Sequence, residues 1–386
     1  MAKRYSSNSM RVRSVDAWHL RAPLSQPFSF SQFSYAQREA MLVRLTTEDG
    51  REGWGEAYGP AAVTAAIVRE FLAPLLIGRD PRAVESNWEL LYARSLDYGQ
   101  KGVMLAAISA LDIACWDLKA QDADAPLYRL LGAAPVESIE CYWTGFYFGG
   151  NEPLERRWER EARDCLEQGF QAAKMKVGLG VARDAELVEA VRHFLGSGVK
   201  LSIDANHAYM PAEAIELARR VEGLGIHWFE EPVSPLDPEA YLQVKSQTAI
   251  PIAGGECEAT RFGFERWFRR RAVDFAQPDL CACGGITEGL KIATLGSLTG
   301  VHVTPHAWGS AVGQAAALHF YAARPRHPST LTAESKLIEC DQTENPFRQV
   351  IVDKPLRLEG GRWYLPHTPG LGVGIRPEAF EHYLVG

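Results

Sequence analysis

At 386 residues, with 46% apolar and 23% charged residues, the chain has room for about two domains and the composition of an ordinary soluble globular protein. Its 41 basic and 48 acidic residues leave a net charge of −7 with no basic stripe and no run of like charges, which argues against a nucleic-acid partner. No stretch approaches the ~20 apolar residues of a membrane span, and seven scattered cysteines without framework spacing point to a reducing cytoplasm, Cys281 and Cys283 having no second pair to complete a zinc site.

Residues 1–9 read as a loose leader before the first strand. From Arg11 to Leu76 the text is first strand-like: residues 11–20 and 40–50 alternate, and Glu48-Asp49-Gly50 marks a hairpin turn into residues 51–58. Helical patterns follow at 61–78, at 81–94 with Asp80 and Pro81 as its start, and in the small-residue stretch 101–121. Strands first and helices after predict an α+β capping domain over residues 11–133. The texture then alternates, with strands at 138–143, 172–177, 200–205, 226–231, 251–255, 273–278, 301–305 and 334–340. Helices fit between them, for example 152–169, 184–198 and 211–225, each closed by glycine. Eight strands with seven intervening helices predict an α/β fold, a (β/α)8-type barrel in the modified (β/α)7β form, over residues 134–351. Residues 352–386 are turn-rich and are expected to leave the barrel and return to the cap.

Six chemically active residues ride on this repeat: Lys176, Asp204, Glu230, Glu256, Asp279 and His306, at intervals of 28, 26, 26, 23 and 27 residues. A period of that size is one strand, one helix and two short loops, so the series gathers at one barrel mouth. Any one of the acids alone would read as a solvated loop residue. Asp204, Glu230 and Glu256 fall on three successive strands, however, and three carboxylates at one mouth repel unless a cation lies between them. All-oxygen ligation favours Mg2+, with Mn2+ as the alternative, over zinc. Asn206 shares a strand face with Asp204 and offers a neutral oxygen. Lys174 and Lys176 point to one face of their strand; mutual repulsion and burial are expected to lower their pKa values and make one a base. Asp279 beside His306 is expected to fix the imidazole tautomer and raise its basicity, whereas His193, His207 and His319 read as packing residues. Two bases flanking a divalent metal suit removal of a proton next to a carboxylate, with Glu339, if protonated, donating a hydrogen bond to the same oxygens.

The motifs KMK at 174–176, DAN at 204–206, EEP at 230–232, GGE at 254–256, QPD at 277–279 with GG at 284–285, and PH at 305–306 resemble, in order and spacing, the mandelate racemase branch of the enolase superfamily. The resemblance spans essentially the whole chain. It implies that Lys176 and His306 are the bases, that Asp204, Glu230 and Glu256 bind Mg2+, that Asp279 supports His306, that Lys174 holds the substrate carboxylate and that Glu339 polarises it. The branches with a lysine near the end of the sixth strand do not match, because Asp279 is followed by Leu280-Cys281-Ala282-Cys283. Within the racemase branch, QPDLCACGG, PHAWGSAVGQAAAL, ENPFRQ and neighbouring stretches are similar to the galactaro-lactone cycloisomerases, which open a sugar-acid lactone by β-elimination. The substrate this implies is a small carboxylate, an acid sugar or its lactone. Acid-sugar dehydration, racemisation or epimerisation of a 2-hydroxy acid, and a non-catalytic metal-binding barrel are the competing readings. Substrate choice is expected in the cap loops at 23–38, 56–62 and 144–151, which mix polar and aromatic residues, and the resemblance implies a homo-oligomer.

Overall fold

The computed structural model describes residues 10–150, 152–325 and 337–385; the expected leader at 1–9 lies outside them. The chain opens with an antiparallel sheet of β1 (Val12–Ser29), β2 (Ser34–Thr47) and β3 (Glu52–Ala57) in that order. The expected loop at 23–38 is mostly strand. The β1–β2 pairing breaks register between Pro23 and Phe28, then resumes at Phe28↔Tyr35 and Ser29↔Ser34, so the true turn is only 30–33. The proline-containing stretch stays extended because its partner strand continues and Phe28 stacks on Tyr35, with ring centroids 5.4 Å apart.

Helices α1 (Ala61–Ile67), α2 (Ala73–Leu76), α3 (Val84–Ser95), α4 (Val103–Asp122) and α5 (Leu127–Leu130) cover this sheet. A π-helical turn at Val68–Leu72 joins the first two and precedes Pro74, which lacks an N–H to donate. Asp80 and Pro81 do not start α3, contrary to expectation. Asp80 instead accepts from the Arg82 backbone N–H at 2.9 Å and pairs with its guanidinium at 2.8 Å. The small residues of α4 let it lie directly on β3: a Cβ added at Gly55 would stand 1.9 Å from the Ala110 carbonyl oxygen.

Eight parallel strands follow: β4 (Ser138–Thr144), β5 (Ala172–Lys176), β6 (Lys200–Asp204), β7 (Ile226–Glu230), β8 (Ile252–Gly254), β9 (Phe275–Ala276), β10 (His302–Val303) and β11 (Leu337–Asp341). Between them run α6 (Leu154–Glu167), α7 (Val181–Leu195), α8 (Pro211–Val221), α9 (Pro238–Lys245), α10 (Thr260–Arg270), α11 (Gly285–Thr299) and α12 (Ala311–Ala323). Each strand pairs with the next from β4 to β10, and β11 pairs with β4. The Thr304 hydroxyl donates to the Leu337 carbonyl at 2.9 Å across the remaining gap. The fold is thus the modified (β/α)7β barrel with an α+β cap. Residues 334–336 of the expected last strand lie outside the described residues.

The last segment only partly leaves the barrel. β12 (Leu358–Glu359) and β13 (Arg362–Tyr364) form a hairpin, and β13 extends the barrel sheet antiparallel to β4. The chain then returns to the cap, where Leu371 N–H donates to Asp117 Oδ1 at 2.8 Å and Val385 N–H to the His19 carbonyl at 3.0 Å. Among the described residues no helix is long and apolar enough to cross a membrane.

Candidate active site

Register sets the site. Lys176 lies opposite Asp204, and Asp204 opposite Glu230, at the carboxyl ends of β5, β6 and β7. An isolated bridge pairs Asp279 with His306 just beyond β9 and β10. Glu339 comes from β11, and Glu256 from the loop after β8. The structure therefore brings all eight expected residues to one mouth, the end at which barrels of this kind carry their chemistry.

Two ion-pair systems dominate. Lys174 Nζ lies 2.6 Å from Glu230 Oε1, 3.0 Å from Glu339 Oε1 and 3.6 Å from Asp204 Oδ2, with all four groups buried. Lys176 Nζ donates to Asp204 Oδ2 at 2.6 Å and to Asn206 Oδ1 at 2.8 Å. The expected fall in the lysine pKa values does not occur. Burial works against both charges, but Glu230, Glu339 and Asp204 outweigh it at Lys174 and hold its ammonium well above the ordinary range. Asp204 raises the Lys176 pKa too, against burial and against Lys174. Burial lifts Glu230 despite the pull of Lys174, and its second oxygen accepts from Trp228 Nε1 at 2.9 Å and Gln277 Nε2 at 2.7 Å.

On the other side, His306 Nδ1 contacts Asp279 Oδ2 at 2.6 Å, leaving Nε2 3.6 Å from Glu256 Oε2 and 3.9 Å from Glu339 Oε2. Burial disfavours the imidazolium, yet Glu256, Glu339 and Asp279 together push its pKa up to about 10. Glu339 departs from expectation as well. Burial favours its acid form, but Lys174 and His306 prevail and pull it well below the carboxylate range. Glu339 accepts hydrogen bonds from Thr144 Oγ1 and Ala307 N–H, both at 2.8 Å, so it must gain a proton before it can donate one.

Asp204, Glu230 and Glu256 supply only hard oxygen donors, which suits a small divalent cation of the Mg2+ type. Asp204 and Glu230 each commit an oxygen to a lysine, while Glu256 lies 3.4 Å from the Asn206 amide nitrogen, beside the same chamber. That chamber, of about 30 Å3, is lined by Lys174, Lys176, Asn206, Glu256, His306 and Glu339, with Phe30, Tyr35, Tyr58, Tyr147 and Trp308 around them. Tyr35, Tyr58 and Trp308 also wall a neighbouring cavity of about 450 Å3, bounded by Arg38, Glu56 and Asn345.

Of these aromatic walls, Phe30, Tyr35, Tyr58 and Tyr147 come from the expected cap loops, and Trp308 comes from outside them. Tyr58 stands edge-on to the His306 ring at 5.5 Å, Tyr147 lies 5.1 Å from Lys176 Nζ, and the Trp308 indole donates to the Tyr147 hydroxyl at 3.0 Å. The β1–β2 turn docks beside the chamber: Ser31 Oγ donates to the Ala205 carbonyl at 2.7 Å and Gln32 Nε2 to the Asn206 carbonyl at 3.2 Å. His319 is the packing residue expected, bonded to Tyr128 N–H and the Leu371 carbonyl, but His207 stands beside Glu231 and Cys257 at the mouth.

Residues 13–132 match the mandelate racemase / muconate lactonizing enzyme N-terminal domain, and residues 157–379 match the enolase C-terminal domain-like family. The chain is 41% identical over 374 residues to a D-galactarolactone cycloisomerase of Agrobacterium fabrum, covering 97% of this chain and 99% of the relative. It superposes on the crystal structure of the 3,6-anhydro-D-galactonate cycloisomerase from Zobellia galactanivorans with a TM-score of 0.88 and 40% identity, covering 97% and 100% of the two chains. A racemase from Streptomyces coelicolor A3(2), solved with bound magnesium, gives a TM-score of 0.86 at 28% identity, covering 97% and 100%.

Proposed function

The chain belongs to the mandelate racemase / muconate lactonizing enzyme family of the enolase superfamily, and from that membership we propose that it is a Mg2+-dependent cycloisomerase of an acid-sugar lactone. The observation that carries this reading is the placement of two proton-handling groups, Lys176 Nζ and His306 Nε2, on one small chamber with carboxylates between them. Its likeness to two cycloisomerases over nearly the whole chain supports the same class.

In this reading Asp204, Glu230 and Glu256 would hold Mg2+, which when bound would supply positive charge to offset the negative charge developing on the substrate carboxylate. Lys174 orients that carboxylate by charge-assisted hydrogen bonding. Lys176 or His306, whichever has first given up the proton that its carboxylate neighbours favour, removes the proton from the carbon next to the substrate carboxylate. The C–O bond to the lactone ring oxygen at the following carbon then breaks, and the lactone carbonyl departs as a second carboxylate. The resulting enol becomes a ketone as its new CH2 group takes a proton, so substrate and product are isomers. Because the leaving group is a carboxylate, its departure needs no proton; loss of a hydroxyl as water would need one. The aromatic side chains and the docked β1–β2 turn narrow the approach of water to the reacting carbon.

The test is a panel of acid sugars and their lactones incubated with enzyme and Mg2+ and scored for keto acids. A lactone converted to an isomeric keto acid, with one solvent deuterium incorporated in heavy water, is the expected result. Lys176→Ala and His306→Ala should each lower kcat by roughly 10²–10⁴ if they act as acid or base. Conversion of open-chain sugar acids alone would make the enzyme a dehydratase. Deuterium exchange into recovered substrate without elimination would make it a racemase or epimerase.

A further inference from the structure

Three side chains that this reaction does not use meet just past the ends of β6, β7 and β8. His207, Glu231 and Cys257 bring their nitrogen, oxygen and sulfur ligand atoms within 4.8 Å of one another. Glu231 is fully buried, and neither of its carboxylate oxygens has a hydrogen-bond partner. Burial, with Glu256, Asp204 and Glu230 around it, pushes its pKa well above the carboxylate range, so it stays a neutral acid unless a counter-charge meets it. Its polar neighbours in the cluster are weak ones: a thiol, and an imidazole whose Nδ1 already donates to the Asn206 carbonyl at 2.5 Å. That bond leaves Nε2 as the nitrogen whose lone pair is free to ligate a metal when the ring is neutral. The backbone is also held in an unusual form, with Asn206, His207 and Glu231 at φ +42°, +56° and +41°.

We propose that His207, Glu231 and Cys257 form a second cation site, distinct from the oxygen-only set of Asp204, Glu230 and Glu256 and selective for a borderline divalent ion such as Zn2+ over Mg2+. A nitrogen, oxygen and sulfur donor set favours the softer ion, and three protein ligands leave a fourth tetrahedral position for water. Ligand atoms around tetrahedral zinc stand about 3.3–3.8 Å apart, so small side-chain rotations close the site. On binding, the thiol and the Glu231 carboxyl each release a proton to solvent, and the ion offsets the charge left on both. His207 and Cys257 are half-buried, which leaves the ion a way in. The bound ion would pin together the three strand-end loops that also carry Asn206, Glu230 and Glu256.

The test takes the metal-stripped full chain, adds excess Mg2+ and titrates Co2+ by absorption and Zn2+ by equilibrium dialysis. The expected result is one tightly bound ion per chain that Mg2+ does not displace, with a thiolate-to-cobalt charge-transfer band. Cys257 is the one cysteine of the seven that is not buried, so Cys257→Ser should abolish the band and weaken Zn2+ binding roughly tenfold or more. Glu231→Gln should weaken binding likewise, with circular dichroism confirming that each variant folds. Binding that Mg2+ displaces, the absence of binding, or unchanged affinity in Cys257→Ser would each overturn the proposal. The band reads Cys257 whether or not Mg2+ occupies the oxygen set, so failure of the proposed function and failure of this site are told apart.

Discussion

At the scale of single residues the site works by setting charges against one another. His306 is the clearest case. Burial alone would keep its ring neutral, but Glu256, Glu339 and the Asp279 hydrogen bond raise its pKa from 6.5 to about 10. A group whose folded pKa is raised contributes stability that is complete below its unfolded value and lost as the pH climbs through the folded one. In Mg2+-free enzyme this contribution should therefore be full below about pH 6.5 and fade as the pH approaches about 10. Comparing the melting temperature of wild type with His306→Asn across that window isolates it. Asp279→Asn should move the loss to lower pH, because the neutral amide no longer stabilises the imidazolium at 2.6 Å. It should also lower kcat/KM by roughly 10²-fold or more, since the ring loses its fixed tautomer. An unchanged pH profile in Asp279→Asn would show that Glu256 and Glu339 raise the His306 pKa without it.

At the scale of elements, what could be read from the sequence was what repeats. The interval between Lys176, Asp204, Glu230, Glu256, Asp279 and His306 recovers the strand ends because a barrel strand buries both faces and stops at its catalytic residue, as β5, β6 and β7 do, or shortly before it, as β8, β9 and β10 do. Non-repeating features were hidden. Nothing local says that residues 23–29 stay in strand, because the pairing is decided by residues 34–37 across a register break. The lysine pKa values were misjudged because the sequence shows that Lys174 and Lys176 share a face but not that Glu230 and Asp204 each come within 2.6 Å of one. Glu231 was legible as a motif letter, yet its lack of partners shows only once the chain is packed and both of its oxygens are buried. The close seat of α4 on β3 was equally invisible, and it makes a direct prediction. Gly55→Ala would force a methyl group against the Ala110 backbone and should cost about 1–3 kcal/mol or more. Gly50→Ala, at φ +87° with open space around it, should cost only about 1–2 kcal/mol of left-handed strain. Urea midpoints measured at constant m-value separate the two. Equal losses would mean that α4 moves aside freely.

At the scale of the whole molecule the cap completes the chamber that the barrel begins, so its seating should affect chemistry as well as stability. Tyr35 and Tyr58 reach the chamber from the cap, while Lys176 and His306 reach it from the barrel. The two parts are joined by buried polar bonds rather than apolar contact alone. Asp112 of α4 accepts from Thr287 N–H at 2.9 Å and Thr287 Oγ1 at 2.6 Å at the start of α11, and the Trp116 indole donates to the same hydroxyl at 2.8 Å. Glu56, at the end of β3, accepts from Ser310 Oγ at 2.6 Å and from the Ser310 and Gly313 N–H groups at 2.8 and 2.7 Å, which seats the start of α12. Asp112→Ala would leave buried donors on Thr287 without a partner, a loss of about 1–3 kcal/mol. Asp112 touches neither base, so its removal should raise KM several-fold while changing kcat less. Hydrogen exchange should speed up along the β1–β2 hairpin, whose turn is docked on the barrel through Ser31 and Gln32. Thr287→Ala in the same background should add little, because the two residues share one interaction and a double-mutant cycle should show their coupling. Destabilisation with KM and exchange unchanged would mean that the α4–α11 bonds merely hold the cap on. A shift in KM with kcat preserved would mean that they set where Tyr35 and Tyr58 meet the substrate.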